Sequence, residues 1–348
     1  MNPYINRVMI KTPEHFFDRK AEVKKIFSRI GASRPQSISI VGDRRIGKSS
    51  LLYYICNENI REKYLETPEK YIFAFFDLQE KKNMNVQEFF CIVTEKIAEQ
   101  LPEKSEDLVQ DFTYDSFLKL IKTLVKYRNV ILVFDEFDAV TTNKNFSSEF
   151  FSFLRSIANS YNVAYVTSSK QDLQELCHAN EIKDSPFFNI FTHIPLGSFD
   201  KDSTSELVKI PSKREGTHLE KYTDFIIELA GYHPFFIQIA CSNLFEIVSE
   251  NQNPVNLNRV KEKFYEEAED HFKYMWYRLH GNEKTCLQNV IESKELDQRL
   301  SYIARKLEKR GILIGIEGYY RVFSVCFEEF VKNVPKIETE KTPPFQEI

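Results

Sequence analysis

Glycine is scarce in this chain: its 348 residues include ten, under half the ~7% of average usage. With so little freedom for left-handed backbone, each glycine is expected where the chain demands one. The shortage excludes linker-rich, collagenous and low-complexity classes. Paired cysteines are missing too. Cys56, Cys91, Cys177, Cys241, Cys286 and Cys326 are scattered without metal-ligand or redox spacing, which predicts reduced thiols in a reducing compartment. Neither charge sign dominates, since 47 Lys and Arg face 51 Asp and Glu for a formal charge of −4. No global footprint for nucleic acid is expected, leaving only a local patch to supply one. No apolar run approaches the ~20 residues of a membrane span. Residues 1–12 carry Arg7 and Lys11 and no long apolar stretch, unlike a signal peptide. The expectation is a cytoplasmic protein with no membrane partner.

Aromatic residues, by contrast, abound: 30 Phe and 17 Tyr, within a composition 42% hydrophobic and 28% charged. That balance belongs to a soluble globular protein, and the length suggests two or three domains. Short runs rich in β-branched and aromatic residues at 38–41, 72–76, 130–134, 163–167 and 191–194 read as buried strands. Between them, 50–60, 86–100, 116–127 and 149–159 carry helical spacing. The alternation predicts an α/β fold, a parallel sheet with helices on both faces, over residues 12–197. From residue 203 the strand signal stops. Helical pattern at 204–209, 219–230, 235–248 and 255–280 predicts a helical lid over 198–280. A basic helix at 300–310, then 312–316 and 319–323 flanking a turn, predict a winged helix-turn-helix over 281–333. The tail 334–348, with Pro343-Pro344 and many charges, is expected to be disordered.

Gly42-Asp43-Arg44-Arg45-Ile46-Gly47-Lys48-Ser49 fits G-x-x-x-x-G-K-[ST], the phosphate-loop signature. A strand before it and a helix after it distinguish it from a chance Gly-Lys-Ser turn. Its glycines let the amides point inward beside the positive end of the next helix. Gly42, Asp43, Arg44, Arg45, Ile46, Gly47, Lys48, Ser49 and Ser50 are thus the expected phosphate-binding run. Lys48 would neutralise the β- and γ-phosphates, and the Ser49 hydroxyl would ligate Mg²⁺. The run 130–134 leads directly into Asp135-Glu136-Phe137-Asp138. A carboxylate ending a buried strand beside a phosphate loop is where nucleotide-bound Mg²⁺ is held, which makes Asp135 the second metal partner. Glu136 is placed to polarise an attacking water. Carboxylates at strand ends also cap the following helix, and Asp138 can serve in that way alone.

With both motifs placed, the chain resembles the STAND and origin-recognition branch of the AAA+-related P-loop ATPases, which also includes the NB-ARC proteins. Phe17-Asp18-Arg19-Lys20-Ala21-Glu22 resembles the F-x-G-R-x-x-E element before the first strand, with Asp18 where the family has glycine. Residues 163–170 (VAYVTSSK) resemble the sensor strand, whose polar end faces the γ-phosphate. Ser168, Ser169 and Lys170 are its candidates, Lys170 standing in for an arginine or being an ordinary solvated lysine. Residues 194–196 and 200–207 resemble the link into the lid. Gly231-Tyr232-His233-Pro234 resembles the G-x-P element, whose proline packs on adenine; on physical grounds Gly231 ends one helix and Pro234 opens the next. Arg155 sits where related ATPases can place a trans-acting arginine finger, although helical arginines are commonly plain surface residues.

The resemblance implies ATP or ADP with Mg²⁺ as ligands and a slowly hydrolysing ATPase acting as a molecular switch. It also implies a homo-oligomer in the ATP state and an effector or sensor protein supplied in trans, in a bacterial signalling or defence assembly. From 298 to 321, Arg299, Arg305, Lys306, Lys309, Arg310 and Arg321 outnumber Glu308 and Glu317. Such a basic helix can enter a major groove. The alternative is therefore a DNA-binding initiator or loader controlled by ATP. The bulky apolar residues of 319–330 favour docking against protein instead. A degenerate nucleotide-binding scaffold is a third reading, opposed by the intact Lys48, Ser49, Asp135 and Glu136.

Overall fold

The strand-forming runs assemble as one parallel sheet because the central ones are apolar on both faces and helices connect successive strands across it. The structure, a computed structural model, describes residues 1–4, 8–101, 111–177, 186–250, 254–316 and 318–334. The tail expected to be disordered therefore falls, from residue 335, outside the described residues. The chain divides into two compact units: Met9–Leu196, and Met1–Val8 together with the chain from Gly197 onward.

In the first unit, in chain order, lie α1 (Lys20–Ile30), β1 (Ser37–Val41), α2 (Lys48–Cys56), α3 (Glu58–Tyr64), β2 (Tyr71–Asp77), α4 (Val86–Ala98) and α5 (Tyr114–Leu124). There follow β3 (Asn129–Asp135), α6 (Asp138–Thr141), α7 (Ser148–Ser160), β4 (Val163–Ser169) and β5 (Phe191–Pro195). The strands pair in parallel in the order β2-β3-β4-β1-β5. This places β4 between the strand that leads into the glycine-rich loop and the strand that ends at Asp135. Side chains alternate across the sheet, so its two faces build different cores. Ile131 and Val133 of β3 join Ile38 and Ile40 of β1 beneath the aliphatic faces of α1 and α2. Val130, Leu132 and Phe134 face the other way, into an aromatic core with Phe76, Phe89, Phe90, Phe150 and Tyr165. There the Phe134 ring lies 5.0 Å from Phe76 and 5.5 Å from Phe89, centroid to centroid. Much of the chain's phenylalanine is used on this one face. The helix expected over 50–60 is in fact two. Asn57 adopts an extended conformation (φ −68°, ψ 133°) between α2 and α3, consistent with asparagine favouring helix ends over interiors.

The second unit is helical: α8 (Lys201–Arg214), α9 (Thr223–Ala230), α10 (Pro234–Ser249), α11 (Leu257–Arg278), α12 (Gly281–Ile291) and α13 (Gln298–Lys309). An antiparallel ribbon of β6 (Leu313–Ile316) and β7 (Tyr319–Val322) follows, and then α14 (Val325–Asn333). The sequence reading of 319–330 as a protein-docking surface needs correction. In α14, Phe327, Phe330 and Val331 recur at helical spacing and are buried within the unit. Phe327 lies 5.3 Å from Phe272 of α11, and Phe323 lies 5.6 Å from Phe236 of α10.

The N-terminal segment also packs here. Tyr4 is buried, and its hydroxyl accepts from the Ser212 amide at 3.1 Å while donating to the Val208 carbonyl. Those two groups are an i, i+4 pair of α8 beside Pro211, which cannot donate to the helix ladder. The tyrosine hydroxyl thus bridges a turn that the proline loosens. Among the described residues, no helix is long and apolar enough to cross a membrane.

Candidate nucleotide-binding site

The glycine-rich loop leaves the carboxyl end of β1, the edge at which parallel α/β sheets bind ligands. The Gly42 amide donates to the Ser169 carbonyl of β4 at 3.2 Å, and Leu196 donates to Val41 at 2.7 Å. Both loop glycines are required. A Cβ on Gly42 would stand 2.6 Å from the Leu196 carbonyl oxygen, and Gly47 holds φ +103°. Arg45 is also left-handed, at φ 67°, a conformation rare outside glycine. Ile46 is buried under the loop.

Lys48 opens α2 and is itself buried. Its ammonium donates to the carbonyls of Gly42 (3.0 Å) and Asp43 (3.2 Å), curling back over its own loop. Burial lowers its pKa, and the charges of Glu136, Asp135 and Asp138 oppose that shift. Burial, and then the neighbouring Arg44 charge, likewise lowers the pKa of Arg45. The Ser49 side chain hydrogen-bonds to Asp135. Ser50 does otherwise: its hydroxyl accepts from the Ile10 amide at 3.0 Å.

Asp135 ends β3 and is 3% exposed. The fully buried Ser168 of β4 donates its hydroxyl to Asp135 Oδ1. The Glu136 amide then donates to both Asp135 Oδ1 and Ser168 Oγ, at 3.1 Å each. This clamp holds Glu136 left-handed, at φ 53°, and such local strain is stored where surrounding structure over-determines it. Burial raises the Asp135 pKa; the Ser168 and Ser49 hydrogen bonds and the Lys48 charge work against it. Lys170, just past β4, lies 3.2 Å from Glu136 Oε2 and 3.8 Å from Asp138 Oδ2. Asp138 is pushed up by burial and then by Glu136, and its Oδ1 is buried without a hydrogen bond. Ser169 turns away, donating to the Gln171 carbonyl at 2.6 Å.

One participant was quoted in the sequence reading without a role. Arg19 is 3% exposed, and its Nη2 donates to the Ile46 carbonyl at 3.1 Å, bracing the loop from behind. Its guanidinium also faces Glu22 at 3.5 Å, so the spaced Arg and Glu of 17–22 act as one unit. Asp18 and Arg19 are both left-handed, at φ 64° and 68°, which gives a physical reason for glycine at the first of these positions in the resembling family.

Two further candidates sit on other elements. Arg155, on α7, lines a cavity with Ser37 and Val163, where β1 and β4 begin, at the edge of the sheet opposite the loop. Pro234 is in the second unit, at the first position of α10, and Gly231 closes α9 at φ 59°.

The donor set suits Mg²⁺. Ser49 and Asp135 offer hard oxygens, and the described residues contain no group of three or more His, Cys, Asp or Glu able to hold a metal by themselves. Mg²⁺ is commonly bound by one or two protein oxygens together with substrate phosphates. The sequence matches the family described as Novel STAND NTPase 2 over residues 32–295, well over half of the chain.

The chain belongs to that family. This STAND NTPase is a P-loop NTPase of STAND/AAA+ type. It is similar to the Walker-type ATPase PABY2304 of Pyrococcus abyssi, with a TM-score of 0.66 and 15% identity over 94% of this chain and 99% of that one. It is also similar to the Aeropyrum pernix ORC2 protein in its ADPNP–ADP complexes (TM-score 0.59, 11% identity, 95% and 96% covered). At these identities the likeness is one of fold. A probable GTP-binding protein EngB of Rickettsia felis is 29% identical over 161 residues, 40% of the STAND NTPase and 75% of that protein.

Proposed function

We propose that this STAND NTPase binds ATP and ADP with Mg²⁺, hydrolyses ATP slowly, and serves as a nucleotide-controlled switch for a protein partner. The observation that carries the reading is the meeting of Lys48, Ser49, Asp135 and Glu136 at one end of the sheet, with Lys170 on Glu136. Loop amides and Lys48 hold the phosphates, Lys48 exchanging the Gly42 and Asp43 carbonyls for phosphate oxygens. Ser49 and Asp135 hold Mg²⁺, which supplies charge neutralisation on the phosphates. Ser168 fixes the orientation of Asp135, and Glu136 takes the proton of the attacking water. Lys170 pairs with that base.

Adenine is favoured by the likeness to a protein solved with ADPNP and ADP; the name of the EngB relative makes guanine the competing base. Titration of ADP and GDP into the purified protein decides between them. Glu136→Gln is expected to retain ATP and lose turnover, and unchanged turnover removes Glu136 as the base.

A DNA-binding reading rests on α12, α13 and the β6–β7 ribbon acting as a winged helix. Tyr302 of α13 is exposed, with the Lys306 ammonium 4.9 Å above its ring, and Tyr319 of the ribbon is exposed too. Basic and aromatic side chains so interleaved suit nucleic acid. Arg310 belongs less to this face, being paired with Glu283 at 2.8 Å. Duplex binding that weakens steeply with salt supports this reading; its absence at low salt leaves the protein-partner switch.

A further inference from the structure

The sheet edge opposite the nucleotide loop carries a second feature. A cavity of about 430 Å³ opens there, lined by Arg34, Gln36, Asn159, Arg155 and Asn189 among others, with no carboxylate among the described residues of its wall. Its size falls in the ~300–1,000 Å³ range of ligand pockets, but its polar lining departs from the usual apolar one. Two guanidiniums, those of Arg34 and Arg155, line it. Arg34 donates through Nη2 to the Asn159 and Ala158 carbonyls, offsetting the negative end of α7. Arg29 donates to Gln36 Oε1 at 2.7 Å, which leaves the Gln36 amide nitrogen as a donor for the cavity. Arg155 is only partly exposed, and its Nε is buried without a hydrogen bond. In a chain of net charge −4, two guanidiniums on one concave wall, with no carboxylate among its described lining residues, suit an anion.

We propose that this cavity is a binding site for a phosphate-bearing anion, separate from the nucleotide loop. Arg34 and Arg155 supply the charge, and the Gln36, Asn159 and Asn189 amides supply orienting hydrogen bonds. The phosphate is that of a free small molecule. The Lys48→Ala protein removes the loop's own phosphate affinity and serves as background for calorimetric titration of inorganic pyrophosphate. Wild-type protein pre-saturated with ADP gives a second background should Lys48→Ala fold poorly.

One saturable site is expected, weakened about tenfold by Arg34→Gln or Arg155→Gln and by much less in Arg155→Lys, which retains the charge. Saturable binding at high dilution of the protein assigns the site to free ligand. No saturable binding, or binding indifferent to both glutamine substitutions, overturns the site.

Discussion

Replacing Ser168 by alanine separates two roles for one buried hydroxyl. In the structure that hydroxyl donates to Asp135 Oδ1 and accepts from the Glu136 amide at 3.1 Å. The amide keeps its second acceptor, Asp135 Oδ1, also at 3.1 Å, so the substitution strands no backbone donor. What is lost is one charge-assisted hydrogen bond to a carboxylate that is 3% exposed, worth about 1.5–3 kcal/mol. For a unit of this size that corresponds to a fall in Tm of roughly 3–12 °C. The functional readout is more discriminating. If Ser168 orients Asp135, Ser168→Ala raises the Mg²⁺ concentration needed for tight binding of ADP and ATP alike. If Ser168 instead senses the γ-phosphate, ATP affinity falls while ADP affinity and its Mg²⁺ dependence stay at wild-type values. Calorimetric titration of both nucleotides across a Mg²⁺ series distinguishes these outcomes, and the second would refute the positioning role argued from the geometry.

Lys170→Met, by removing the cation that sits 3.2 Å from Glu136 and would meet the γ-phosphate, is expected to reduce the preference for ATP over ADP by several-fold, whereas Lys170→Arg preserves it; unaltered preference in both leaves Lys170 a structural cation. Asp138 has its pKa raised by burial, so its contribution to stability is full below the unfolded carboxylate value and is lost as pH rises through the folded one. Asp138→Asn is therefore expected to gain Tm over wild type above that range and to match it near pH 3; a gain that does not vary with pH contradicts the assignment. Tyr4→Phe leaves the Ser212 amide without its 3.1 Å acceptor and is expected to destabilise the second unit by about 1–3 kcal/mol, measured by chemical unfolding.

The central strands β2, β3 and β4 were legible because parallel strands covered on both faces are largely apolar runs, and each strand of the sheet was located to within two residues at either end. The nucleotide loop was legible because its chemistry demands two glycines and a lysine at fixed spacing in a chain that has little glycine. Asn57 was missed as a break, since its neighbours on either side keep helical spacing. The apolar residues of 319–330 were visible, but not the direction they face; α14 turns them onto α11 within the same unit. Pairings across long sequence separations were beyond reach. Ser168 with Asp135, Lys170 with Glu136, and Tyr4 with Ser212 exist only because the sheet and the helical unit bring those positions together. Arg19 lay in a motif that could be quoted, yet its support of the Ile46 carbonyl needed the folded loop.

The central claim is that Lys48 and its loop hold nucleotide phosphates. Calorimetric titration of ADP with Mg²⁺ into wild-type and Lys48→Ala protein tests it most directly. The account predicts one site in the wild type and at least ~100-fold weaker binding in the variant. Equal affinity in a folded Lys48→Ala protein, or no binding of ADP or GDP by the wild type, would contradict it.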